Sequence, residues 1–176
     1  MKIVLLYKGR LNSNGDKNDK GKIRDQVHPQ IKKCWDKWPL SVHKGSYLDT
    51  TKDSHCIRVI GGNIFSPLVT SSLQITCSLS IHLLIPRQRS SLLNANGDLD
   101  NRIKTLIDGL RMPKNINEIH DNFECPISPY CTLLEDDSLV TEISIKSDEL
   151  LLDEEEKGYV MAVITAEIQQ IGGVFA

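Results

Sequence analysis

From Leu73 to Ile85 the chain alternates almost without a break. Leu73, Ile75, Cys77, Leu79, Ile81, Leu83 and Ile85 fall on one side, and Gln74, Thr76, Ser78, Ser80 and His82 on the other, with Leu84 the exception. Successive side chains of an extended strand point to opposite faces, so a period of two over this length predicts one long strand with one buried face. Pro86 closes it.

The neighbouring segments supply the rest of the sheet and its cover. Lys2 to Lys8 reads as a first strand, because its apolar run is too short for a secretory signal. Residues 9–22 are rich in Gly, Asn, Asp and Lys and read as a loop. Ile23, Val27, Ile31, Cys34, Trp35 and Trp38 then recur at helical spacing, an apolar stripe that Pro29 interrupts and Pro39 ends. Cys34, Trp35 and Trp38 are expected in the core. Residues 39–56 look irregular, and Gly61-Gly62 marks a turn. Ile103, Leu106, Ile107 and Leu110 follow the i, i+3, i+4, i+7 pattern of an amphipathic helix that starts near Gly97 or Asp100. Residues 111–133, with three prolines, read as a long loop insert. Ser138 to Lys146 alternates again, with Leu139, Ile143 and Ile145 expected inward, and Tyr159 to Ile168 is a last apolar strand. The acidic stretch 147–157 between them reads as an exposed hairpin tip. The order predicts a single α+β domain over residues 1–176, with a small mixed β-sheet and two main helices.

No apolar run approaches the ~20 residues of a membrane-spanning helix. The five cysteines, Cys34, Cys56, Cys77, Cys125 and Cys131, are odd in number and scattered in spacing. That argues against a disulfide framework and for a reducing cytoplasm. The net charge of −2 is unevenly spread: residues 1–112 carry a balance of +9 and residues 113–176 one of −11. The asymmetry suggests a basic surface contributed by the first two thirds.

Acidic groups crowd at two places. Gly97-Asp98-Leu99-Asp100-Asn101-Arg102-Ile103-Lys104 sits at the mouth of a helix, and Glu135-Asp136-Asp137-Ser138 at the mouth of a strand. Crowded carboxylates repel, and a cation relieves the repulsion. Hard divalent ions such as Mg²⁺ prefer such oxygen ligands. On a 100° wheel Asn101, Lys104 and Asp108 share one face, with Asp100 near it. Taken singly, each acidic segment is an ordinary turn or helix cap. Taken together, with Lys104 in register, they point to metal-dependent phosphodiester chemistry.

Asp98-Leu99-Asp100-Asn101, then Lys104, then Asp108-Gly109-Leu110, and then Asp136-Asp137 followed by Val140, resemble the motifs of the RusA-type Holliday junction resolvases. The loop Pro86-Arg87-Gln88-Arg89 ahead of the motif and the closing strand add to the resemblance, which covers about residues 73–168. It implies a homodimeric endonuclease that binds four-way DNA junctions and nicks two strands symmetrically with Mg²⁺ or Mn²⁺. By position, Asp98, Asp100 and Asp137 would be the metal carboxylates and Lys104 the active-site lysine. Asn101, Asp108 and Asp136 would support them, and Asp136 is the alternative to Asp137, since a strand lets only one of the two face the site easily. Arg87, Arg89 and Arg102 are candidates for phosphate contacts, as are Lys17, Lys20, Lys22 and Arg24. The chain departs from the family pattern in its longer stretch after Leu110, in Gly109 where Ala is typical, and in its acidic balance. The alternative expectation is a non-catalytic junction-binding dimer of the same fold. A third is an interaction module that meets a basic partner through its acidic end.

Other signals carry less. Cys125 and Cys131 with His120 nearby lack the short spacing of a zinc knuckle. His82 belongs to the polar face of the long strand, and an exposed structural histidine explains it. There is no phosphate-binding glycine loop and no dinucleotide fingerprint.

Overall fold

The computed structural model describes residues 1–51, 54–86, 96–125, 129–151 and 158–171, with side chains from Leu99 onward in the helix that begins at Asn96. The long alternating segment forms β4 (Ile75–Pro86), at the inside of a four-stranded sheet. Its neighbours are β1 (Lys2–Arg10), β6 (Val140–Leu150) and β7 (Tyr159–Gln170), in the order β1-β7-β4-β6. β7 runs antiparallel to both β1 and β4, and β6 runs parallel to β4, so the sheet is mixed. The register stacks one apolar face: Leu5 lies opposite Ile164, and Ile81 opposite both Ile164 and Ile145. Ile3, Leu5, Tyr7, Leu79, Ile81, Leu83, Ala162, Ile164 and Ala166 are all buried there.

Helices close that face. α1 (Lys17–Cys34) begins at Asp16, whose carboxylate accepts the N–H groups of Asn18 and Asp19, while Asp19 reaches back to the Asp16 N–H. This capping box places the helix start inside residues 9–22, which composition alone marks as loop. The polar residues there are the exposed first turn of the helix. Ile23, Val27 and Ile31 bury the expected stripe, and Trp35 extends it. Pro29 lies within the helix without ending it. Two members of the stripe depart from expectation. Trp38, past the helix end, is 82% exposed, and Cys34 is only half-buried against the core. A short α2 (Leu40–Tyr47) occupies part of the segment read as irregular, and none of its residues is buried. α3 (Asn96–Leu110) buries Ile103, Leu106 and Leu110. It crosses α1 at Gly109, where an added Cβ would stand 2.6 Å from the Ile23 Cβ.

A second, smaller sheet has the order β2 (Arg58–Ile60), β3 (Asn63–Val69), β5 (Tyr130–Leu134). Gly61 and Gly62 make the β2–β3 turn with φ of +57° and +80°, the left-handed pair that suits a tight hairpin. β5 is parallel to β3 and wholly buried. Its first residues fall inside the stretch read as a loop insert, so 111–133 is in part core. The insert folds back because β5 finds β3, far away in sequence. Among the described residues there are three α-helices and seven strands, and no helix is long and apolar enough to cross a membrane. All five cysteines are free thiols, and burial pushes those of Cys56 and Cys77 up to about 11 and that of Cys131 up to about 12.

β6 corrects a further expectation. The alternation of Leu139, Ile143 and Ile145 is real, but Ile143 and Ile145 are 44% and 40% exposed. β6 is an edge strand, and the helices that cover β1, β7 and β4 do not extend over it.

Candidate functional site

α3 carries Asp100, Lys104 and Asp108 at four-residue spacing, which on a helix is one stripe. Ile103 and Ile107 lie beside that stripe. Across from them stand Asp137, Val140 and Ile143, from the turn before β6 and from β6 itself. These eight residues line one open cleft of about 290 Å³. Residues far apart in sequence thus meet because β6 lies parallel to β4 and α3 packs over the sheet. The apolar members form the floor, and the charged ones form the walls.

The turn that presents Asp137 is held by its neighbour. The Asp136 carboxylate accepts the Ser138 N–H at 3.0 Å and the Lys114 ammonium at 3.0 Å. Hydrogen bonds from Ser138 and then from Lys114 hold the Asp136 carboxyl well below its ordinary value. Asp136 is therefore the cap of the turn, and Asp137 is the member of the pair that lines the cleft. Lys114 also lies 3.5 Å from Asp137. Its own acidity falls, first through the bond to Asp136 and then through the Asp137 charge. Sequence reading missed Lys114, which belongs to the supposed insert and has no periodicity to mark it.

Asp108 ties the site to the body of the protein. Its carboxylate meets Lys20 of α1 at 2.8 Å and the Arg111 guanidinium at 3.2 Å. Burial pushes this carboxyl up, but the Lys20 hydrogen bond and the Arg111 charge outweigh it and hold it below its usual range. Arg111 also meets Glu118 at 2.7 Å. Arg24, set among the phosphate-contact candidates by charge alone, is only 2% exposed. It donates to the Arg111 carbonyl at 2.8 Å and to the Asp108 carbonyl at 3.1 Å, so it braces the α1–α3 junction and faces no ligand. Lys17 is likewise paired with Asp121. Lys22 is exposed.

A second, smaller cleft of about 180 Å³ adjoins the first. Asn14, Gly15, Lys20, Asn101 and Thr105 line it, together with Lys104 and Asp108, which are common to both. The loop at Gly15 is docked by its N–H, which donates to the Thr105 hydroxyl at 2.9 Å. Asn101 therefore sits beside Lys104 but outside the Asp137 cleft. Arg102 faces elsewhere, lining a groove of about 550 Å³ with Arg10, Asn12, Ser13, Asn14, Asp16, Asp19 and Gly158.

Glu135, adjacent to the paired aspartates, turns inward. It accepts from Arg58 Nε at 2.8 Å, the Thr70 hydroxyl at 2.7 Å and the Ser71 N–H at 2.8 Å. It therefore clamps the end of β5 to the segment after β3. Arg87 and Arg89 lie outside the described residues, as does the side chain of Asp98. Among the described residues no three His, Cys, Asp or Glu side chains gather as a metal cluster. The Asp100 and Asp137 carboxylates on one cleft are hard oxygen donors of the type Mg²⁺ takes, and Asp98 would be the third. Comparisons with protein-family models, curated proteins and solved structures found no match for this chain.

Proposed function

We propose that this protein is a metal-dependent endonuclease acting on branched DNA, which resolves four-way junctions by paired symmetric nicks. The observation that carries the reading is the shared cleft: Asp100, Lys104 and Asp108 on one wall, Asp137 on the other. Asp98, Asp100 and Asp137 would hold Mg²⁺ or Mn²⁺. When bound, such an ion activates water and stabilises the leaving oxygen of an in-line displacement. Lys104 carries the positive charge that a phosphate gains from in its transition state, and it projects from the stripe that bears Asp100. Asp108 keeps Lys20 and Arg111 in place behind it. Asp136 and Lys114 set the turn that aims Asp137. Arg102, with Arg87 and Arg89 of the preceding loop, would contact the DNA backbone.

The test is cleavage of a labelled four-way junction, with duplex and single-stranded controls, with and without Mg²⁺ or Mn²⁺. Symmetric, metal-dependent nicking of the junction is expected. Asp100→Asn should abolish it, and Lys104→Met should slow it by a factor on the order of 10² to 10³. Both positions are exposed, so thermal midpoints should stay near wild type. Wild-type-like cleavage by Asp100→Asn would refute the assignment. Tight junction binding with no nicking under either metal would replace it with a non-catalytic binding dimer.

A further inference from the structure

The two edges of the four-stranded sheet are treated differently. At the β1 edge, two glutamines of α1 stand where a neighbouring strand would. Gln30 accepts the Leu6 N–H at 2.9 Å and donates to the Leu6 carbonyl at 2.7 Å. Gln26 does the same for Lys8, at 3.1 Å and 2.8 Å. Side-chain amides thus close that edge to further pairing. At the β6 edge no strand among the described residues lies beyond, and every residue from Thr141 to Glu149 is exposed. Ile143 and Ile145 belong to the core face, opposite Leu79 and Ile81, yet remain open to solvent. A long open edge with apolar residues is a template for pairing with another chain.

We propose that a second copy of this chain pairs with the first through β6, antiparallel about a twofold axis at Ser144, so that the two four-stranded sheets become one continuous sheet. The strand's own sequence selects the register. A twofold axis normal to the sheet keeps each face on its side, so only residues of the same face lie opposite one another. With the axis at Ser144, Glu142 meets Lys146 of the other copy, Ile143 meets Ile145, and Thr141 meets Ser147. Opposite charges and apolar residues then pair on their respective faces. An axis at Ile145 would set Glu142 against Asp148, and an axis at Glu142 or Lys146 would set like charges on each other. An axis at Ile143 leaves both charges unmatched. Lys146 is free to turn, since it is 70% exposed. Its present partner Asp148, at 2.8 Å, also holds His82 at 2.7 Å and keeps a partner when Lys146 leaves.

The pairing has a geometric consequence. Because the axis preserves faces, the two Asp137 clefts open on the same side of the joined sheet, each beside the Ile143 of its own strand. That these clefts act together on one branched DNA rests on the nuclease reading, whereas the pairing itself does not.

The experiment is sedimentation of the full chain without DNA or metal, over a range of concentrations. Wild type should dimerise. Glu142→Lys or Lys146→Glu alone should weaken the dimer at least tenfold, because each places like charges opposite one another at both ends of the pairing. The double reversal should restore it. Opposed Cα atoms in an antiparallel pair stand ~4.5–5.5 Å apart, within the span of a disulfide. Ser144→Cys should therefore give a reducible covalent dimer that wild type does not. A monomeric wild type at the highest soluble concentration overturns the proposal. So does a dimer indifferent to either reversal, or one the double reversal fails to restore. Should a charge variant lose its far-ultraviolet circular dichroism, the Ser144→Cys crosslink decides alone. No outcome depends on nuclease activity.

Discussion

Glu135 shows what a single residue's surroundings do to its chemistry. It stands in a run of acidic residues, yet it is the one that faces the protein, with Arg58, Thr70 and Ser71 around its carboxylate. Burial raises its pKa, and the bonds from Thr70, Ser71 and Arg58 more than reverse that, leaving it below 4.5. Asp108 is held below 3.8 in the same sense. A carboxyl whose folded-state value is depressed contributes stability above its unfolded value and loses it as pH falls through the folded one. Thermal midpoints should therefore decline as pH drops below about 4.5. Glu135→Gln should cost about 1–3 kcal/mol near neutral pH, since it removes the charge from a half-buried cluster. Its midpoint should also fall less steeply on acidification. Melting both proteins from neutral pH into acid checks this, and parallel curves would remove Glu135 from the account.

At the scale of elements, the crossing of α1 over α3 governs how the cleft is built. Gly109 lets Ile23 come so close that an added Cβ would meet three Ile23 side-chain atoms within 3 Å. The nearest is the Cβ of a β-branched residue, which has little freedom to yield. Gly109→Ala should thus destabilise by about 1–2 kcal/mol, the overlap of about 1–3 kcal/mol outweighing the gain in helix propensity. Gly45, in the exposed α2, has nothing within 4 Å. Gly45→Ala should stabilise by about 0.5–1 kcal/mol. Denaturant unfolding of the two variants measures both signs in one experiment. The same crossing explains why Arg24 and Arg111 are buried near Asp108: two helices packed this tightly leave room for guanidinium groups only where carbonyls and carboxylates receive them.

For the molecule as a whole, the segregation of charge along the chain does not become two charged halves. The order β1-β7-β4-β6 interleaves strands of the basic part with strands of the acidic part. Cations of the first part are paired with carboxylates of the second: Lys2 with Glu167, Lys17 with Asp121, Arg58 with Glu135, and Arg111 with Glu118. A basic face supplied by residues 1–112 is thus partly neutralised within the fold. Binding to DNA then depends on a few positions. Arg102→Ala should weaken junction binding alike across sequences and lower the slope of log K against log salt by about 1. A titration over a range of salt concentrations reads that slope, and an unchanged slope would take Arg102 out of the DNA surface.

What could be read from the sequence was what depends on near neighbours. The alternation of β4 and β7, the apolar stripe of α3, the Gly61-Gly62 turn and the α+β class follow from periods of two and 3.6, which are local properties of the chain. The common stripe of Asp100, Lys104 and Asp108 is legible for the same reason. The capping box of Asp16 and Asp19 was also there to be read, and the loop-like composition around it concealed it. Tertiary structure alone decided which faces are covered. Periodicity shows that Ile143 and Ile145 share a side with each other, but their exposure follows from β6 being at an edge. Trp38 continues the helical stripe in sequence and emerges into solvent because the helix ends at Cys34. The meeting of Lys114 with Asp136 and Asp137, the inward turn of Glu135, the burial of Arg24 and the strand β5 all require chain segments far apart in sequence to come together. Such contacts are set by closure of the whole fold, and no local pattern encodes them.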